Sequence, residues 1–182
     1  ELRGEQTLAP IDYRGHPLFA LFTITCATRD GRHEDAAREA MRALAQWPEH
    51  PHVNFVAGES LRRIGRYPEA LPCLEKACAG APHDAEILIS CANANLASGN
   101  NDRAAELAAA VVTLLPAQST HRLFFATVLL MAGRPRDAAE QALQALDLGI
   151  VEPHLWLAFS HVVREARRLG WGLQVAPEPR HE

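Results

Sequence analysis

Residues 51–84 read PHVNFVAGESLRRIGRYPEALPCLEKACAGAPHD, and two helices are legible in them. Apolar residues at helical spacing (Phe55, Ala57, Leu61, Ile64) run up to Gly65, where a left-handed backbone ends a helix without steric cost. A second helix is expected to start near Tyr67-Pro68, since proline is tolerated in a first turn and not later. Ala70, Leu71, Leu74, Ala77 and Cys78 then share one face, three and four residues apart, and the helix stops before Pro82. Gly58 and Ala70 are small where the two helices should cross, so their axes can come close. Such a hairpin cannot bury its apolar faces alone; stacked neighbours can.

The rest of the chain supplies those neighbours. Gly31, Gly65, Gly99 and Gly133 recur every 34 residues. Ala36, Ala70, Ala104 and Ala138 form a second column, and Ala43, Ala77, Val111 and Ala145 a third. Pro48, Pro82 and Pro116 form a fourth, broken at Ile150. Ile24, Gly58, Ala92, Ala126 and Ser160 form a fifth of mostly small residues. Five columns on one period mark a repeat architecture.

The columns resemble those of the tetratricopeptide repeat: a small residue in the first helix, Gly at the turn, Ala twice in the second helix, Pro at the exit. The resemblance covers 17–50, 51–84, 85–118 and 119–152, with a capping helix over 153–169. It implies an all-α fold, a right-handed superhelix of stacked hairpins whose first helices line a concave groove. In the cap, Trp156, Phe159, Val162 and Val163 are expected to pack while Arg164, Glu165, Arg167 and Arg168 turn outward. Arg122 and Asn95 depart from the apolar pattern and put local packing in doubt. Residues 1–16 read as an extended lead-in, and 171–182 as a Pro-rich tail.

Composition agrees with a helical solenoid and excludes other classes. The 182 residues include 32 alanines and only 11 aromatics, and Lys76 is the single lysine among 18 basic residues. A net charge of -4 argues against general nucleic-acid binding, which needs a basic surface. The apolar runs are too short or too interrupted to insert in a membrane. The N-terminal ELRGEQTLAP shows no secretory signal, so a cytoplasmic location is expected, in a bacterial context suggested by the Arg and Ala bias. Cys26, Cys73, Cys78 and Cys91 form no Cys-x-x-Cys pair and read as reduced, buried small residues.

The resemblance sends particular side chains of each first helix into the groove. Leu21, Phe55, Ile89, Leu123 and Leu157 make an apolar rail; Thr25, Glu59, Asn93, Thr127 and His161 make a polar rail four residues further on. Leu130 joins the lining, and Arg62 with Arg63 offers a place for a carboxylate. Apolar anchors with polar flanks suit an extended peptide or an amphipathic helix of another protein. The expected function is therefore a protein-interaction scaffold, with self-association left open. The alternatives are a non-catalytic regulatory or targeting module of a larger enzyme, which a start without Met suggests, and a secretion or envelope-assembly chaperone. Lys76 lies on a second helix, so a chaperone-tail clamp built on groove lysines is not expected. Phe22, Val56, Ser90 and Phe124 stand where glycosyltransferase relatives carry an asparagine ladder. No phosphate loop or nucleophile elbow occurs. His50, His52 and His83 read as solvated loop histidines, so neither an enzyme nor a bound metal or cofactor is expected.

Overall fold

The computed structural model describes residues 15–170, so the lead-in up to residue 14 and the tail from 171 lie outside the described residues. Among the described residues there are nine α-helices and no strand. They are α1 (Pro17–Arg29), α2 (His33–Gln46), α3 (Pro51–Arg63), α4 (Tyr67–Gly80), α5 (Ala85–Ala97), α6 (Asn101–Leu114), α7 (Ser119–Met131), α8 (Pro135–Asp147) and α9 (Pro153–Arg168). The chain divides into two compact units, Glu1–Gly80 with α1–α4 and Ala81–Glu182 with α5–α9.

Each hairpin turns on the expected glycine. Gly31, Gly65, Gly99 and Gly133 have φ of 76, 79, 78 and 72°. The residue after each glycine donates its amide to a carbonyl five residues back, as Arg66 N to Leu61 O at 2.9 Å, and the glycine amide itself bonds three back, Gly65 N to Arg62 O at 3.1 Å. These paired bonds satisfy carbonyls that a helix end leaves open. A Cβ at any of the four would meet open space, so the backbone conformation alone selects glycine there.

Helix starts are set by proline and by side-chain caps. Pro17, Pro51, Pro135 and Pro153 open their helices, where a missing N–H costs nothing. Asp84 accepts the amides of Glu86 (3.0 Å) and Ile87 (3.3 Å) at the head of α5. Pro72 is the exception to the expectation that proline stays in the first turn, for it lies inside α4. Its absent N–H would have bonded the Pro68 carbonyl, and both residues are exposed, so water can take that place.

In the first unit α1 packs on α2 and α3, and α3 on α2 and α4. Ile24, Ala27, Ala36, Ala40, Ala43, Val53 and Ala57 form one core cluster there. Gly58 is a true close approach: a Cβ would lie 2.6 Å from Leu74 Cγ and 3.2 Å from the Ala70 carbonyl oxygen. In the second unit Ala104, Ala108, Leu123, Ala126, Leu129, Ala142, Leu155 and Val162 belong to one core. The alanine columns are therefore crossing points, and Ala36, Ala70, Ala104 and Ala138 are each at most 1% exposed.

The two departures from the repeat pattern are resolved by hydrogen bonds. Asn95 is 1% exposed; its Nδ2 donates to Cys91 O at 3.0 Å, and its Oδ1 accepts from Asn100 Nδ2 at 3.1 Å. Arg122 reaches across to α8 and donates to Gln141 (3.1 Å) and Gln144 (2.7 Å). Asn54, also buried, donates to the carbonyls of Pro48 and His50. Buried polar groups cost little when paired in this way.

The capping helix packs on the core through Phe159, Val162 and Val163 as expected, and Trp156 is the exception. Leu155, Val162 and Ala166 are buried, whereas Trp156 is 44% exposed and rests its ring edge-on against Phe159 at 5.8 Å. Of the cysteines, all free, Cys78 and Cys91 are buried, but Cys26 and Cys73 are only half-buried.

Charged residues pair mostly within their own helix. Arg38–Asp35, Arg42–Glu39, Arg103–Glu106, Arg134–Asp137 and Arg168–Glu165 are three residues apart, as is the close Arg66–Glu69 pair. Lys76 is different, reaching Glu49 in the α2–α3 link at 3.1 Å.

Candidate functional site

In the first unit the candidate residues lie on α1 and α3, which are direct neighbours. Leu21 and Phe55 are half-buried and keep part of their surface open. Thr25 is exposed and returns its hydroxyl to the Leu21 carbonyl at 2.8 Å. Glu59 is gripped by Arg62 through two bonds, Nε to Oε1 at 3.1 Å and Nη2 to Oε2 at 2.8 Å. That hydrogen bond holds the Arg62 guanidinium above its ordinary pKa, against the opposing effect of burial. Arg62 is consequently committed to its own helix, which corrects the reading of Arg62 and Arg63 as a joint carboxylate site. Arg63 is exposed and has no carboxylate partner among the described residues. It borders a shallow concavity of about 500 Å³ shared with the α1–α2 turn and with Ile64.

In the second unit the candidates divide. Ile89 is half-buried and Asn93 exposed on α5. Leu130 is half-buried against the core, and Thr127 bonds the Leu123 carbonyl at 2.9 Å. Leu123 itself is 2% exposed and belongs to the core, so it leaves the apolar rail. The cause is packing: α7 meets α6, α8 and α9 together, and the inner face of α7 closes over. Leu157 on α9 is 74% exposed, with exposed His161 one turn on. The Arg164 guanidinium lies 3.5 Å from His161 Nδ1.

Further apolar residues near these candidates are exposed. Leu18 and Phe22 on α1 are each 65% exposed, and Val151 before α9 is 90% exposed.

His83 is an exposed turn residue and His50 stands just ahead of α3, both outside the helices as expected, whereas His52 is helical. His50 caps α3 through Nδ1, accepting the Val53 amide at 3.4 Å, and His52 lies in the first turn of α3 because Pro51 starts the helix there. Their rings are 6.0 Å apart, edge to face. Among the described residues no group of three or more His, Cys, Asp or Glu side chains is placed to hold a metal ion. The Cys73 thiol is pushed up in pKa by burial, which is the wrong direction for a nucleophile. Among the described residues no helix is long and apolar enough to cross a membrane.

Paired helices on a fixed period, turning at left-handed glycines and crossing at alanines, define an α-helical repeat protein. The period and columns are specific enough to go further. The chain belongs to the tetratricopeptide repeat family, whose sequence profile matches residues 27–85, 55–120 and 92–153. No curated protein sequence matches this one. Solved structures share the fold at low identity. YrrB, described as a TPR protein with an unusual peptide-binding site, is 18% identical over 81% of this chain and 75% of its own, with a TM-score of 0.70. MamA from Desulfovibrio magneticus RS-1, residues 41 to the end, is 21% identical over 74% of this chain and 76% of its own, at 0.66. MamA MSR-1 is 18% identical over 87% and 97%, at 0.67.

Proposed function

We propose that this protein is an interaction scaffold whose first-helix faces hold a peptide segment or an amphipathic helix of a partner protein. One observation carries this reading. At one register of the repeat, apolar side chains stay open to solvent: Leu21, Phe55 and Ile89 half-buried, Leu157 74% exposed. Four residues beyond each stands a polar group, Thr25, Glu59, Asn93 or His161. Apolar anchors with polar neighbours at fixed spacing are what a peptide groove offers: the first give affinity, the second register. Partly open apolar side chains in one register need a cover. The peptide site ascribed to YrrB, a protein of the same fold, supports the reading. In it the chain acts on a protein, in the cytoplasm, with no cofactor and no chemistry of its own.

The test is co-purification with the natural partner. Phe55→Glu combined with Arg63→Ser is expected to abolish capture while the helical circular dichroism signal is kept. Undiminished capture by this folded variant would move the partner to the second-helix faces or to the tails.

A further inference from the structure

One face of α9 lies open that the other first helices of the second unit bury. Trp156, Ser160 and Arg167 are exposed on it, and Phe159 and Val163 are half-buried. One and two periods back, the same places are closed. In α5, with α6 packed on it, they hold Leu88, Cys91, Ala92 and Asn95, each at most 4% exposed. In α7, with α8 packed on it, Ala126 and Leu129 are equally buried. Arg122, in the place of Trp156, donates to Gln141 and Gln144 of α8. Among the described residues no helix takes the corresponding position on α9. Trp156 thus stands open, steadied by the edge of Phe159 at 5.8 Å. A tryptophan on an apolar patch is a common anchor of protein interfaces.

The face is complementary to a second copy of itself. Trp156, Ser160, Val163 and Arg167 are spaced four, three and four residues apart, which keeps a seam on one side of a helix. Let two copies of α9 run antiparallel about a two-fold axis beside Phe159 and Ser160. Trp156 of each then falls on Val163 of the other, and Phe159 falls on Ser160, whose small side chain leaves room for the ring. The same alignment sets Glu152, at the start of α9, against Arg167, near its end. Both charges are available for it. Arg167 has no carboxylate partner among the described residues, and nearby Glu165 is held by Arg168 at 2.7 Å. Glu152 touches the imidazole of His154 at 3.2 Å and no lysine or arginine among the described residues. Each contact is thus made twice, as a closed two-fold dimer requires. A parallel pairing would instead set Glu152 on Glu152 and Arg167 on Arg167.

We propose that α9 pairs antiparallel with α9 of a second copy of this chain, Trp156 packing on Val163 and Glu152 meeting Arg167 across a two-fold axis. The contact uses neither Leu157 nor His161, so it does not depend on the proposed partner groove. Sedimentation equilibrium of the full chain tests it. A dimer is expected to form as the chain is raised from about 1 to 500 μM, the range of a small interface. Trp156→Glu is expected to weaken dimerisation at least about a hundredfold, since the change counts twice across the axis. The exposed position of the ring lets this variant keep its helical circular dichroism signal. Arg167→Glu is expected to weaken the dimer about tenfold, and Glu152→Arg in the same chain to restore it, because the two charges exchange places. Leu157→Glu, next in sequence but off this face, is expected to leave it unchanged. A monomer at every concentration would overturn the proposal and give the face to a different partner. So would a dimer indifferent to Trp156→Glu, equal losses from Trp156→Glu and Leu157→Glu, or no recovery on charge exchange.

Discussion

The hairpin α3–α4 and the helices α5–α8 follow one repeat plan but seal it with different chemistry. In α3 the place before the turn is Leu61, 1% exposed, and Gly58 removes a side chain so that Leu74 can fill the crossing. In α5 the same two places hold Asn95 and Ala92, and a buried amide bonded to Cys91 O and Asn100 replaces apolar contact. Val53 of α3 has His121 as its counterpart in α7, and Arg122 beside it is held by glutamines of α8. The repeat therefore constrains volume and hydrogen-bond satisfaction at these places and leaves polarity free.

Substitutions can break this comparison, the largest effect first. Leu61→Ala is expected to destabilise the first unit by about 3 kcal/mol through a cavity that the close α3–α4 crossing cannot collapse, read as a lower urea midpoint. Gly58→Ala should cost about 2 kcal/mol by the same measurement, since the new Cβ meets fully buried Leu74 and the Ala70 carbonyl. The reverse change in α5, Ala92→Gly, should cost only about 1 kcal/mol, because it removes a methyl and frees the backbone. Asn95→Leu sharpens the comparison from the other side. Leu61 and Leu129 show that the column accepts leucine, and the Asn100 amide left behind is exposed, so the midpoint should move by less than about 1 kcal/mol.

The smallest effect is an acid dependence centred on His121. Its Nδ1 is buried without a hydrogen-bond partner, and burial lowers its pKa below the ordinary imidazole value. The folded state therefore holds the ring neutral. That contribution is whole above the unfolded value, about 6.5, and is lost as pH falls through the lowered folded value. His121→Ile, borrowing Ile87 of the same column, should flatten that part of the stability–pH curve in thermal melts at pH 5 to 7. An unchanged slope would show that the ring is solvated in the folded protein.

How far the sequence could be read follows the same division. The turns were legible because a φ above 70° selects glycine whatever surrounds it, and the alanine columns because close crossings admit little else. Asn95 and Arg122 were legible as departures, but their partners were not. Which glutamine or asparagine meets them depends on side-chain rotamers across neighbouring helices, and spacing along one helix carries no such information. The register of the candidate residues keeps apolar surface open at Phe55, Ile89 and Leu157. It failed at Leu123 because α7 is enclosed by three helices, and at Arg62 because Glu59 one turn earlier claims the guanidinium. The face of α9 was legible at Phe159, Val162 and Val163 and failed only at Trp156, because Leu155 beside it is also apolar and only the neighbouring helices decide between them.

The charged pairs carry a consequence for assays of this protein. Arg38–Asp35, Arg42–Glu39, Arg62–Glu59, Arg66–Glu69 and Arg103–Glu106 each close within a single helix, and most are solvent-exposed. Helix–helix contact in both units is carried chiefly by apolar side chains, on which ionic strength has little hold. Raising the salt concentration therefore screens a partner's charges without loosening the scaffold, and a salt-sensitive affinity would report on the partner interface alone.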